Sequence, residues 1–252
     1  MAYRKVDEAS LTAVADSIRE KGGTTGALAF PDGFVSAVQA IQAGGGEADS
    51  SFKDMIERTV VNPTLPSDLT KISDYAFYNA SKLALTSLPD GVTSIGDSAF
   101  SGCTNLALTS LPDGLTSIGS YAFSGCTNLA LTSLPDGLTS ISSSEFFRCT
   151  NLALTSLPVG LTSIDSYAFY MCTNLALTSL PVGLKSIGSS AFQNCNGLTT
   201  ITFEGTPSSI ASNAFSNCIN LTTINVPWAE GAVAKAPWGA TNATINYNYT
   251  GE

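Results

Sequence analysis

The decapeptide CTNLALTSLP begins at Cys103 and returns at Cys126, Cys149 and Cys172, each time after 23 residues. Outward from these four copies the same frame continues in both directions. With the apolar residue before Pro counted first, units begin at Leu65, Leu88, Leu111, Leu134, Leu157, Leu180 and Phe203. Seven turns of 23 residues therefore cover 65–225. Ile recurs at Ile72, Ile95, Ile118, Ile141, Ile164, Ile187 and Ile210, and Phe at Phe77, Phe100, Phe123, Phe146, Phe169, Phe192 and Phe215. Ala precedes Phe in six turns, and Glu145 stands there in the remaining one. Cys comes three residues after Phe in six turns, with Ala80 in its place in the first.

A unit this short cannot enclose a core alone. Stacked units align like residues into columns and build one continuous interior, which is the logic of a solenoid. Short extended segments pair between turns about 4.8 Å apart, so seven turns rise roughly 33 Å. Pro66 and its equivalents end one strand. Asp-Gly pairs such as Asp90-Gly91, Asp113-Gly114 and Asp136-Gly137 supply the bend. Segments of the Tyr121–Cys126 type have room for a single short helical turn.

The pattern L-T-S-I-G-x-x-A-F-x-x-C-x-x-L at this period resembles the BspA-type (Treponema pallidum-type) leucine-rich repeat. The resemblance covers about two thirds of the chain. It implies a leucine-rich-repeat solenoid of short strands and short helical turns. The late turns keep the family's Leu-x-x-Ile-x-Leu continuation (Leu198, Ile201, Phe203), whereas the middle turns read L-A-L-T-S-L-P. That moves one apolar residue by a single position and leaves the facing of that strand open.

Four segments are expected. Residues 1–46 read as a small N-terminal αα-hairpin: Leu11, Val14, Ala15 and Ile18 form one apolar stripe, and Phe34, Val35, Val38 and Ile41 another. Residues 47–64 read as a linker and N-terminal cap, 65–225 as the solenoid, and 226–252 as a C-terminal cap. In the cap, a short helix between Pro227-Trp228 and Pro237-Trp238 and a strand over 243–249 would cover the open end, with both Trp sealing the core. The two ends also resemble segments of tail-associated proteins from phages and prophages of Gram-positive gut bacteria. That implies an attachment module in 1–46 whose partners are other virion proteins.

Composition narrows the function. Lys and Arg total 11, Asp and Glu 20, His none, and the net charge is −9. With no basic run there is no footprint for nucleic acid. Without His, the usual Ser-His and Cys-His nucleophile pairs and His-ligated metal sites cannot form. No apolar run is long enough for a membrane helix. Asp7 and Glu8 stand where a signal peptide would be apolar, so synthesis without one is expected. The carboxylates sit mostly in Asp-Gly turns and form no acid/base pair. We expect no enzyme, cofactor or metal site.

The candidate sites are few. The six cysteines lie one per turn, a line and not a ligand cluster, and are expected as a buried thiol column without disulfides. Against a nearly constant framework, the pair just after Phe varies most. It becomes Phe147-Arg148 and Tyr170-Met171 in adjacent turns, with Tyr78 in the first turn and Glu145 beside the patch. Aromatic residues, Arg and Met are enriched at interfaces. Tyr78, Glu145, Phe147, Arg148, Tyr170 and Met171 are therefore the candidate binding residues, for a partner protein or a surface glycan. The sequence reads as a non-catalytic structural and binding protein, a tail-associated virion component of a phage or prophage, with a bacterial cell-surface adhesin as the alternative.

Overall fold

The computed structural model describes residue 63 and residues 65–251. The hairpin expected over 1–46 and nearly all of the 47–64 segment lie outside the described residues. The described chain is a solenoid of about eight coils with a 23-residue period.

On one side, a Ser-Ile or Lys-Ile pair in each coil forms a two-residue strand. These are β1 (Lys71–Ile72), β2 (Ser94–Ile95), β3 (Ser117–Ile118), β4 (Ser140–Ile141), β5 (Ser163–Ile164), β7 (Ser186–Ile187) and β9 (Ser209–Ile210). They pair in parallel with Ile opposite Ile, in two sheets ordered β1-β2-β3 and β4-β5-β7-β9. A second side carries β6 (Ser179–Leu180), β8 (Thr200–Phe203), β10 (Thr223–Asn225) and β11 (Thr244–Asn246), a parallel sheet ordered β11-β10-β8-β6.

The core is a set of columns. From Phe77 to Phe215 the seven Phe rings stack with centroids 5.0–5.6 Å apart and planes within 13°. All are buried, as are the repeating Ile residues. Each such burial stabilises by about 1.5–3 kcal/mol, and ring stacking adds to it. In the middle coils Leu106, Leu108 and Leu111 all face inward, as do Leu198, Ile201 and Phe203 in the late ones. The displaced apolar residue is thus still buried, but the strand on this side is confined to the late coils.

The expected helical turns are absent: no helix is found among the described residues. The segment around each Phe is a run of i→i−3 turns. Within it Ala76, Tyr78 and Ala80 donate backwards to Ser73, Tyr75 and Phe77. The alternate N–H groups, those of Tyr75, Phe77 and Asn79, donate instead to Asp97, Ala99 and Ser101 of the next coil at 2.6–2.8 Å. A helix would keep every N–H inside the segment. Left-handed residues four apart, such as Tyr75 and Asn79 (both φ 58), turn half of them outward and couple the coils.

The expected cap helix is also missing. Residues 230–239 form turns and bends, with left-handed Gly231, Lys235, Trp238 and Gly239 among them. The last strand is three residues, Thr244–Asn246. The two Trp do seal the end. Trp228 and Trp238 are buried, with ring centroids 5.2 and 5.9 Å from that of Phe203. The Trp238 indole N–H donates to the Ala234 carbonyl at 2.8 Å, and the Trp238 carbonyl accepts from Phe215 N–H, ending the column.

Candidate functional site

The frame position just after each Phe lies on an open edge of the coil, and here the structure assembles most of the candidate residues. Phe147 and Tyr170 stack face to face, 4.9 Å between centroids and 7° between planes. The Arg148 guanidinium carbon lies 5.3 Å from the Phe147 centroid. Tyr167 meets Tyr170 edge-on at 5.8 Å. Arg148 is exposed, while Phe147, Tyr170 and Met171 are half-buried. A guanidinium against an aromatic stack, held on a rigid backbone, is an arrangement that recurs in protein interfaces. Tyr78 does not join this cluster. It sits three coils away, roughly 15 Å along the stack, edge-on to Tyr75 at 5.8 Å.

Glu145 is a correction. It is fully buried and cannot touch a partner. It occupies the inward Ala position, whose equivalents Ala122 and Ala168 are also fully buried. Its Oε2 accepts the Ser142 N–H at 2.8 Å, and its Oε1 is buried with no hydrogen-bond partner. In other coils the equivalent N–H closes the sheet: Gly119 N–H donates to the Ile95 carbonyl at 2.8 Å. Here Ser142 N–H is diverted, and the Ile118 carbonyl accepts the Ser142 hydroxyl at 2.6 Å instead. The first-side sheet splits at this point, between β3 and β4. Burial pushes the Glu145 carboxyl well above the ordinary carboxylate range; the Ser142 N–H opposes this, and Asp165 reinforces it.

A row that the variable-pair reading leaves out lies beside the cluster. Tyr75, Tyr121 and Tyr167 are 49%, 50% and 42% exposed. They share one frame position, two residues before Phe, in alternate coils. Buried Ser98, Ser144 and Ser190 occupy the coils between. The signal in the sequence is the Tyr/Ser alternation over the first six turns, which ends at Asn213 and which the more variable pair after Phe overshadows.

The cysteines form the expected column. Each thiol donates to the carbonyl of the Phe 26 residues earlier, from Cys103 to Phe77 through Cys218 to Phe192, at 2.9–3.0 Å. Burial pushes the thiols of Cys126, Cys149, Cys172 and Cys195 up, and that of Cys218 to about 11. They are space-filling donors, poorly suited to act as nucleophiles. Among the described residues no group of three or more His, Cys, Asp or Glu could hold a metal ion. No described helix is long and apolar enough to cross a membrane.

Comparison with known proteins places this architecture. A family profile described as "BspA type Leucine rich repeat region" matches in six copies over residues 49–176 and 139–230. No curated protein matches in sequence. A leucine-rich repeat protein of Eubacterium ventriosum is similar at 28% identity over 63% of this chain and 43% of its own, with a TM-score of 0.53. One from Bacteroides ovatus is 25% identical over 75% of this chain and 61% of its own, TM-score 0.49. A leucine rich cell surface protein of Faecalibacterium prausnitzii is 26% identical over 66% of this chain and 63% of its own, TM-score 0.44. The chain thus spans under two thirds of the length of each of these three proteins.

Proposed function

The chain belongs to the BspA-type leucine-rich repeat family, and from that premise we propose that it is a non-catalytic, adhesin-type binding scaffold of a bacterial cell surface. Proteins of this kind are typically found there, and the fold is typically a binding scaffold. The observation that carries the reading is the Phe147–Tyr170 stack with Arg148 beside it, an aromatic and cationic cluster on an edge that stacking makes rigid. The partner is a protein or a surface glycan. The alternative, a tail-associated virion component docked through residues 1–46, rests on the resemblance of the two ends alone. It finds no support among the matched proteins and stands behind the surface reading.

The test is binding of the labelled, purified chain to bacterial and epithelial cell surfaces, read by flow cytometry. The double change Phe147→Ser, Tyr170→Ser installs the residue present at the same frame position in Ser101 and Ser124, so the coil is retained. We expect it to lower the bound signal about tenfold. Undiminished binding would remove the site; no binding of the parent chain to any surface would remove the function.

A further inference from the structure

The tyrosine row extends further than the cluster at Phe147 and Tyr170. Tyr75, Tyr121 and Tyr167 recur every second coil, so their rings repeat roughly every 10 Å, twice the interstrand spacing. Each sits on left-handed backbone (φ 58, 58 and 59), which gives all three side chains the same departure from the coil. Between them the buried serines leave low ground. Tyr170 steadies Tyr167 edge-on at 5.8 Å. The result is a ruler of half-exposed rings with one fixed period.

Resting on the binding reading above, we infer that this row takes an uncharged, extended β-1,4-linked hexopyranose chain. Two sugar residues of such a chain span the interval between successive tyrosines, so every second ring offers the same apolar C–H face to a phenol. Tyr suits this, with an apolar body for the ring face and a hydroxyl for the sugar hydroxyls. A peptide in β conformation is out of step, because its same-face side chains repeat about every 6.8 Å; a polyproline II peptide repeats at about 9.3 Å and is the competitor in the test. Charge disfavours acidic glycans: the chain carries −9, Asp74 and Asp165 are exposed within two residues of Tyr75 and Tyr167, and exposed Asp97 accepts the Tyr75 N–H on its carbonyl from the next coil.

The test is calorimetric titration of the whole chain with cello- and chito-oligosaccharides of two, four and six sugars. Maltohexaose, whose α-linked chain coils, is the control, and a proline-rich peptide is the competitor. Affinity is expected to climb with length to the hexasaccharide, and maltohexaose to fail. Tyr121→Ser places at the centre of the row the residue native to the adjoining coils. It is expected to weaken the hexasaccharide about tenfold and to flatten the length dependence, with thermal stability unchanged. The inference is overturned if no neutral β-linked oligosaccharide binds, if Tyr121→Ser leaves affinity intact, or if the proline-rich peptide displaces the sugar from the row. Such a failure, with cell binding still lost in the Phe147→Ser, Tyr170→Ser chain, removes the ligand class and leaves the adhesin reading standing. Absence of cell binding together with absence of oligosaccharide binding removes both.

Discussion

The second side of the solenoid is built in two ways. In the coils from Leu83 to Leu157 the inward residues are spaced two and then three apart, as in Leu106, Leu108 and Leu111. In the coils beginning at Leu198 they are spaced three and then two, as in Leu198, Ile201 and Phe203. A strand needs inward residues at period two just where it pairs. Ile201-Thr202-Phe203 meets that need and joins β6, β8, β10 and β11 into one sheet. Leu-Thr-Ser-Leu supports only the two residues of β6, where that stretch lies directly against β8; neighbouring middle coils are held instead by bonds such as Ala130 N–H to Leu108 and Ala153 N–H to Leu131, at 3.1–3.2 Å. Both regions fill the same core. Apolar volume at a frame position is therefore the stricter requirement, and a continuous sheet is the looser one.

The largest expected effect breaks the late region. Phe203 is in β8, and its ring also meets Phe215, Trp228 and Trp238. Phe203→Ala should cost about 3–5 kcal/mol. Because solenoid stability is set between neighbours, the C-terminal coils should loosen first. The check is Trp fluorescence under urea: it should shift before the far-ultraviolet signal does. Leu134→Ala, at the same frame position in the middle, touches no Trp and should cost less, with both signals moving together.

A middle-region change should work in the opposite direction. Glu145→Ala restores the residue that fills this position in the other coils and removes a buried oxygen without a partner. A gain of about 1–3 kcal/mol is expected. Ser142 N–H should then return to the Ile118 carbonyl, joining the two first-side sheets, which hydrogen exchange at Ser142 would register. The pH dependence comes from the raised carboxyl. Folded Glu145 holds its proton to higher pH than the unfolded chain does, so its contribution is present in full below the unfolded value near 4.5. That contribution falls as pH rises above 4.5 until the folded value is passed. The gain from Glu145→Ala should accordingly be larger at neutral pH than at about pH 4.

The same contrast decides how much of the molecule is legible in its sequence. The Phe, Ile, Leu and Cys columns are legible because each frame position repeats, and repetition under stacking dictates facing. The sealing role of Trp228 and Trp238 is legible because an open column must end. Glu145 misleads because a charge signals exposure, whereas its frame position belongs to the interior. The turns around Phe mislead in another way. Phe and Cys three apart suit a helix, and the left-handed position is signalled by Gly102 and Gly125 and by Asn79, Asn194 and Asn217, the residue types that enter that region most readily. Arg148 and Met171 adopt the same conformation with no such mark. Tyr121 and its partners escape because half of the row is serine.

The smallest effect is the sharpest probe of the contrast. Leu154 precedes Thr155 in the last coil before β6, and the Thr155 N–H reaches the Thr132 carbonyl only at 3.5 Å. The double change Leu154→Thr, Thr155→Ile moves the inward residue to the spacing of Leu198, Ile201 and Phe203 without altering the apolar count. If the offset of one residue is what stops the sheet, residues 155–157 should become a fifth strand beside β6. Their amides should gain exchange protection, and stability should rise by about 0.5–1 kcal/mol for each bond gained. If protection stays confined to the coils after Ser179, the sheet ends because of the C-terminal cap and not because of the spacing. The Asn225 amide, which donates to Thr202 Oγ1 at 3.1 Å and accepts from Asn246 at 2.8 Å, would then be the feature to remove next, since it ties three late coils together and has no counterpart in the coils from Leu83 to Leu157.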